Sequence, residues 1–333
     1  MSIIKSKFGH FLLLVLCLLC FDNTPLIAKG LERVDSLASS LLKSNSSVNR
    51  GYRAVTVVED YFIAVGTDGK MDRINKSGEV FPIENTSRAN MNSVIADNQK
   101  VVAVGDGGTI LISTDGEKYS KFKSGTTENI NCISSFKGIL IAVAEHGTIL
   151  LNKKGGTWIS TKLSLKGDIV SISAGATFCV GVTNMGEIIK TSDGLNWSIF
   201  DYNAEYAGYS KKCLFKAVVV TENCIAVTGQ HEDNTPVLLF STSGNAWVER
   251  TLYYTDGQGK NHALTNLPNN ICFDSINDQF FMACDDGEIF GLPTCSKCNT
   301  SFSVTENSLQ GIVCSDNKLI LVGDNYFVHT INL

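Results

Sequence analysis

The sequence predicts an all-β, seven-bladed β-propeller with four-stranded antiparallel blades, and three observations predict it. A short apolar segment recurs seven times, followed in five copies by a turn and a glycine, and the first four copies stand at a constant interval of 39 residues. Each copy is flanked by further short apolar runs bounded by Gly, Asn and Asp, which is the pattern of strands. All three tryptophans fall in one slot of this repeat.

The copies are Ile63-Ala64-Val65 to Gly69, Val102-Ala103-Val104 to Gly108, Ile141-Ala142-Val143 to Gly147, and Val180-Gly181-Val182 to Gly186. They continue at Ile225-Ala226-Val227, Phe281-Met282-Ala283 and Ile320-Leu321-Val322 after intervals of 45, 56 and 39 residues. An apolar run precedes each copy, such as 131–135, and another follows, such as 109–113. An aromatic then closes the unit at Phe81, Tyr119, Trp158, Trp197 and Trp247. Four short strands cannot bury both their faces alone, so neighbouring units must stack, and radial closure protects their edges.

The seventh unit ends at Leu333 after three strands. The repeat offset places the missing fourth strand near Leu41 to Asn45, where a chain segment would join the two ends of the propeller. Leu31, Val34, Ala38 and Leu41 also follow a helical period, so residues 29–52 read as either a closing strand or a short helix. The propeller is expected over 53–333.

Residues 1–28 read as a cleaved signal peptide. Lys5 and Lys7 precede eleven unbroken apolar residues from Phe11 to Phe21, and Leu26-Ile27-Ala28 offers a cleavage site. Eleven residues fall short of the roughly 20 that span a bilayer, so no stable membrane span is expected. Lipid attachment at Cys20 is disfavoured by the bulky Leu19 before it. The expected location is therefore secreted or periplasmic.

Composition narrows the function. With 28 Lys+Arg against 33 Asp+Glu and a net charge of −5, the chain lacks the clustered cations that phosphate neutralisation needs, and nucleic acid is disfavoured as a partner. Arginine is scarce, and only Arg250 follows Arg88.

The turns between third and fourth strands read Ser113-Thr114-Asp115-Gly116-Glu117-Lys118-Tyr119 and Thr191-Ser192-Asp193-Gly194-Leu195-Asn196-Trp197, with a weaker copy from Ser241 through Gly244 to Trp247. Asp caps backbone amides, Gly permits a positive φ, and the aromatic packs across the hairpin. These turns resemble Asp-boxes. Together with Val104 to Leu111 they make the chain similar to the photosystem II assembly-factor type of seven-bladed propeller over about residues 53 to 333. That resemblance implies a non-catalytic scaffold or assembly role exercised by binding other proteins. The few arginines depart from any Arg-patch mode of binding in that family.

Asp-boxes also occur in sialidases, so a carbohydrate-active propeller, hydrolytic or lectin-like, is the alternative. Sialidase chemistry needs an arginine cluster to clamp a carboxylate, with a Tyr and Glu pair beside it. Beyond the N-terminal segment only Arg53, Arg73, Arg88 and Arg250 are available, and solvated surface is the better reading of them. No catalytic residue, cofactor or metal is assigned.

Insertions relative to the regular unit occur at Asp201 to Lys212, Gly229 to Pro236 and Tyr253 to Pro268. All belong to the two connection classes that emerge on one rim of a propeller, so they are expected to crowd together above blades four to six, and loops on one face are often the binding surface. They hold five of the nine tyrosines: Tyr202, Tyr206, Tyr209, Tyr253 and Tyr254. Broad, stiff and amphipathic, tyrosine suits an interface. With His231, Glu232, Asp233 and His262, these tyrosines make up the expected partner-binding set. Asp68, Asp106, Glu145, Asp285, Asp286 and Asp324 occupy turns on the same rim and suggest an acidic ring, although Asp beside Gly is ordinary turn chemistry.

Nine cysteines follow the leader. In an exported chain Cys295 and Cys298 suggest a local disulfide. Cys272 and Cys284 flank a hairpin turn near Asn277-Asp278 at nearly equal distances, which suggests that they face each other. The rest read as small core residues.

Overall fold

The computed structural model describes residues 49–84, 87–153, 156–294 and 299–333. The expected leader, the candidate closing strand at Leu41 to Asn45, Cys20, Cys295 and Cys298 lie outside the described residues.

Seven consecutive antiparallel sheets follow one another in chain order. Blade 1 is β1 (Tyr52–Val58), β2 (Tyr61–Gly66), β3 (Met71–Asn75) and β4 (Val80–Pro82). Blade 2 is β5 (Met91–Asp97), β6 (Lys100–Gly105), β7 (Thr109–Ser113) and β8 (Ser120–Lys123). Blade 3 is β9 (Ile130–Phe136), β10 (Ile139–Ala144), β11 (Thr148–Lys153) and β12 (Ile159–Lys162). Blade 4 is β13 (Ile169–Ala174), β14 (Cys179–Thr183), β15 (Glu187–Thr191) and β16 (Ser198–Asp201), after which comes a one-turn helix α1 (Tyr202–Glu205). Blade 5 is β17 (Cys213–Val220), β18 (Ile225–His231), β19 (Pro236–Ser241) and β20 (Val248–Glu249). An accessory hairpin, β21 (Tyr253–Thr255) and β22 (Asn261–Ala263), leads into blade 6: β23 (Pro268–Asp274), β24 (Gln279–Cys284), β25 (Glu288–Pro293) and β26 (Thr300–Ser303). Blade 7 has three described strands, β27 (Leu309–Ser315), β28 (Lys318–Gly323) and β29 (Val328–Asn332).

The recurring apolar triplets are the second strands. In β6 every residue from Val101 to Gly105 is buried, because this strand is covered by the blades on both sides. Seven apolar clusters fill the seven spaces between blades, built of Val, Ile, Leu and Phe from facing sheets. Burying each such side chain stabilises the fold by about 1.5–3 kcal/mol before chain entropy is counted. The first strands contact one another in cyclic order, β27 packing on β1 as β1 packs on β5, so the ring is closed.

The seam between blades 7 and 1 is closed by packing and by polar contacts. Tyr52 meets Tyr326 edge to face at 5.3 Å, and Thr67 Oγ1 lies 3.0 Å from the Tyr326 hydroxyl. Gly51 bridges to Asp324, and the Asn325 N–H donates to the Arg50 carbonyl at 2.6 Å. Behind them the Tyr52 hydroxyl donates to the fully buried Asp72 carboxylate, which Lys70 also contacts at 2.9 Å.

The glycine that ends the turn after five of the triplets, at Gly69, Gly108, Gly147, Gly186 and Gly287, is sterically required. Gly147 has a φ of +74°, and a Cβ placed there would lie 2.3 Å from the Leu163 carbonyl oxygen. The aromatic slot packs Trp158 and Trp247 into the clusters between blades. Phe81 stands one place out of this slot, and since strand side chains alternate, it faces outward at 49% exposure.

In the turns from Ser113 and Thr191, Asp115 Oδ1 accepts the N–H groups of Glu117 and Lys118 at 2.9 and 2.8 Å, and Asp193 Oδ1 accepts those of Leu195 and Asn196 at 2.8 Å each. These donors hold the Asp115 carboxyl down to about 2 and push that of Asp193 lower still.

Candidate functional site

The three insertions come together. Tyr209, Ser210 and Lys211 from the first, His231 and Asn234 to Pro236 from the second, and Glu249 to Leu252 with Ala263 to Thr265 around the third line one groove of about 570 Å³. Hydrogen bonds hold the loops to each other. The Glu232 N–H donates to the Lys212 carbonyl at 2.9 Å, Lys211 pairs with Asp233, and Ser210 Oγ lies 3.3 Å from Glu249 Oε2.

Asp201 starts α1 by accepting the Ala204 N–H at 3.0 Å, an N-cap that turns the chain across the blade edge. The helix carries Tyr202 inward. It is 3% exposed, stacks near Tyr206 at 4.6 Å and meets Phe215 edge to face, and burial pushes its hydroxyl up to about 12. Tyr206 packs against the same cluster and exchanges hydrogen bonds of 3.3 Å with the Trp247 backbone. Tyr202 therefore belongs to the core between blades 4 and 5, a correction to its assignment as a contact residue, and Tyr206 is largely committed to it. Tyr209 is the opposite case, at 92% exposure beside the groove. Tyr253 is 49% exposed, and Tyr254 stacks on His262 at 5.5 Å.

Behind the groove lining a thiol contacts an imidazole, which in turn contacts a carboxylate. His231 is 7% exposed, with Nε2 2.8 Å from Glu249 Oε1 and Nδ1 3.6 Å from Cys213 Sγ. The ring thus turns Nε2 toward Glu249 and Nδ1 toward the thiol. Cys213 is completely buried, and burial, reinforced by the Glu249 charge, pushes its thiol up to about 12. An activated nucleophile is exposed and has its thiolate favoured. Cys213 has the reverse of both, so the chain of contacts pins the insertions to the blade.

Three histidines go to separate carboxylates: His146 to Glu128 at 3.6 Å, His231 to Glu249, and His262 to Asp256 at 2.8 Å. Among the described residues no three His, Cys, Asp or Glu side chains converge as metal ligands. Glu232 and Asp233 stay exposed at the groove edge.

Three of the acidic turns are held by side-chain amides, while Asp68 pairs with Arg50 at 3.1 Å. Asn90 donates to Asp106 at 2.8 Å, Asn129 to Glu145 at 2.9 Å, and Asn269 to Asp285 at 2.7 Å. Asn90 and Asn129 also accept the Asp68 and Gly107 N–H groups of the preceding blade, as Asp168 accepts that of His146. The sequence reading did not identify this clasp, although Asn90, Asn129 and Asp168 recur at the 39-residue interval.

Cys272 and Cys284 do not face each other. In the β23–β24 register Cys272 lies opposite Phe281 and Cys284 opposite Pro268. With Asp274 opposite Gln279, the turn is centred between Ile276 and Asn277, so the position opposite Cys272 falls three residues short of Cys284, and no disulfide joins them. Among the described residues no helix is long and apolar enough to cross a membrane.

No protein-family model matches the chain, and no curated protein matches it. Among solved structures it is similar to YCF48 bound to D1 peptide, with a TM-score of 0.65 and 12% identity over 86% of this chain and 93% of that one. It is similar to YCF48 from Cyanidioschyzon merolae, with a TM-score of 0.62 and 14% identity over 85% and 96%. The WD40 β-propeller domain of Doa1 aligns with a TM-score of 0.63 and 12% identity over 85% and 92%. At these identities the likeness is one of fold, and the chain is a seven-bladed propeller.

Proposed function

We propose that this chain is an exported, non-catalytic protein-binding propeller, a scaffold or assembly factor whose partner seats in the groove above blades four to six. The observation that carries the reading is the convergence of three insertions on one groove, with Tyr209 standing 92% exposed at its edge. An aromatic side chain held that far into solvent costs the free protein apolar hydration that a partner would relieve. Lys211, Asp233 and Arg250 supply a polar rim of both signs, as interfaces carry. The solved propeller with a D1 peptide bound supports the idea that this fold accommodates a peptide. Export rests on the leader at 1–28, and the Asp115 and Asp193 turns support the Asp-box likeness through their local geometry.

A photo-crosslinking residue placed at Tyr209 in the native host tests the reading, with the same residue at Asn98 on the opposite rim as control. The expected result is a discrete protein adduct from position 209 that is absent from position 98. Equal labelling from both positions, or none from 209, would overturn it. Glycan-array binding that disappears with Tyr209→Ala would replace a protein partner by a carbohydrate one.

A further inference from the structure

We infer that Cys272 and Cys314 form a disulfide that ties the first strand of blade 6 to the first strand of blade 7, made by exchange with a small-molecule disulfide. β23 and β27 pack side by side, and the two Sγ atoms lie 2.8 Å apart across them. That is inside the contact distance of two sulfurs, and a closure of under about 1 Å reaches the roughly 2.05 Å of the bond. Both residues belong to the apolar cluster between these blades. Cys132, Cys213, Cys224 and Cys284, by contrast, each set Sγ against an oxygen at 3.5–3.9 Å.

Access sets the order of events. Cys314 is half-buried while Cys272 is buried, and burial raises the Cys272 thiol well above its ordinary range. The Cys314 thiolate therefore attacks the small disulfide first, forming a mixed disulfide and releasing one small thiolate. Cys272 then attacks the Cys314 sulfur and releases the second. The two protons lost by the cysteines go to the two small thiolates, so the protein is oxidised by two electrons and the small disulfide reduced to two thiols. The bond encloses the three outer strands of blade 6, which restricts the unfolded chain.

Oxidised glutathione is the probe. The protein is equilibrated with it, acid-quenched, alkylated, and cut with Asp-N and chymotrypsin, which leave Cys272 and Cys314 on separate peptides carrying no other cysteine. The expected product is that peptide pair joined, with a melting temperature about 5 °C or more above the dithiothreitol-treated protein. In Cys314→Ser the rise should vanish. A persistent glutathione adduct on Cys314, complete alkylation of Cys272, or linkage of either to another cysteine would overturn the inference. Should Cys314→Ser fail to fold, the wild-type digest decides alone.

Discussion

The side-chain amide of Asn129 donates to the Glu145 carboxylate of its own blade at 2.9 Å while its carbonyl oxygen accepts the Gly107 N–H of the blade before it, also at 2.9 Å. One side chain thus joins two blades and satisfies a turn carboxylate. Asn129→Ala removes both bonds and should lower unfolding free energy by about 1–2 kcal/mol, read from the urea midpoint at constant m-value.

Acid should weaken the Ser113 turn in a defined window. The folded Asp115 carboxyl, held by the Lys118 and Glu117 amides, titrates near 2 against the ordinary 3.8. Its contribution is complete above about pH 4 and is lost as pH falls from there through about 2, because the unfolded chain takes up the proton first. Asp115→Asn should reduce the slope of stability against pH in that window, measured by denaturation at a series of pH values. An unchanged slope would remove Asp115 as a source of it.

Backbone sterics make Gly147 intolerant. Gly147→Ala must hold an alanine at positive φ with its Cβ against the Leu163 carbonyl. A loss of about 2 kcal/mol or more is expected, whereas Gly138→Ala, also at positive φ but with open space around it, should cost less. Thermal melts of the two variants make the comparison.

Two tyrosines of one insertion should behave oppositely. Tyr202→Ala leaves a hole between blades 4 and 5 and should cost about 3 kcal/mol or more, while Tyr209→Ala should stay within about 0.5 kcal/mol. Calorimetry separates them. Similar losses in both would mean that the exposed ring is packed in solution.

The blades were legible because their strands are short, apolar and separated by a fixed count, and because glycine is obligatory where the turn backs onto a carbonyl. The convergence of the three insertions was legible too, since an antiparallel meander assigns each connection to a rim by parity. What escaped was whatever depends on a side chain's direction. Tyr202 turns inward because Asp201 caps a helical turn at that point, which residue type alone does not reveal. Cys272 finds Cys314 because blades stack, and hairpin counting sees only neighbours within one sheet. Asn129 was passed over because an Asn before a strand looks like any loop residue until its two partners from adjoining blades are seen.

The three insertions all leave by one rim, and the hairpin turn at Asn98 lies on the other. A tether or fluorophore fixed at that turn would orient every molecule on a sensor chip the same way, with the groove facing the flow.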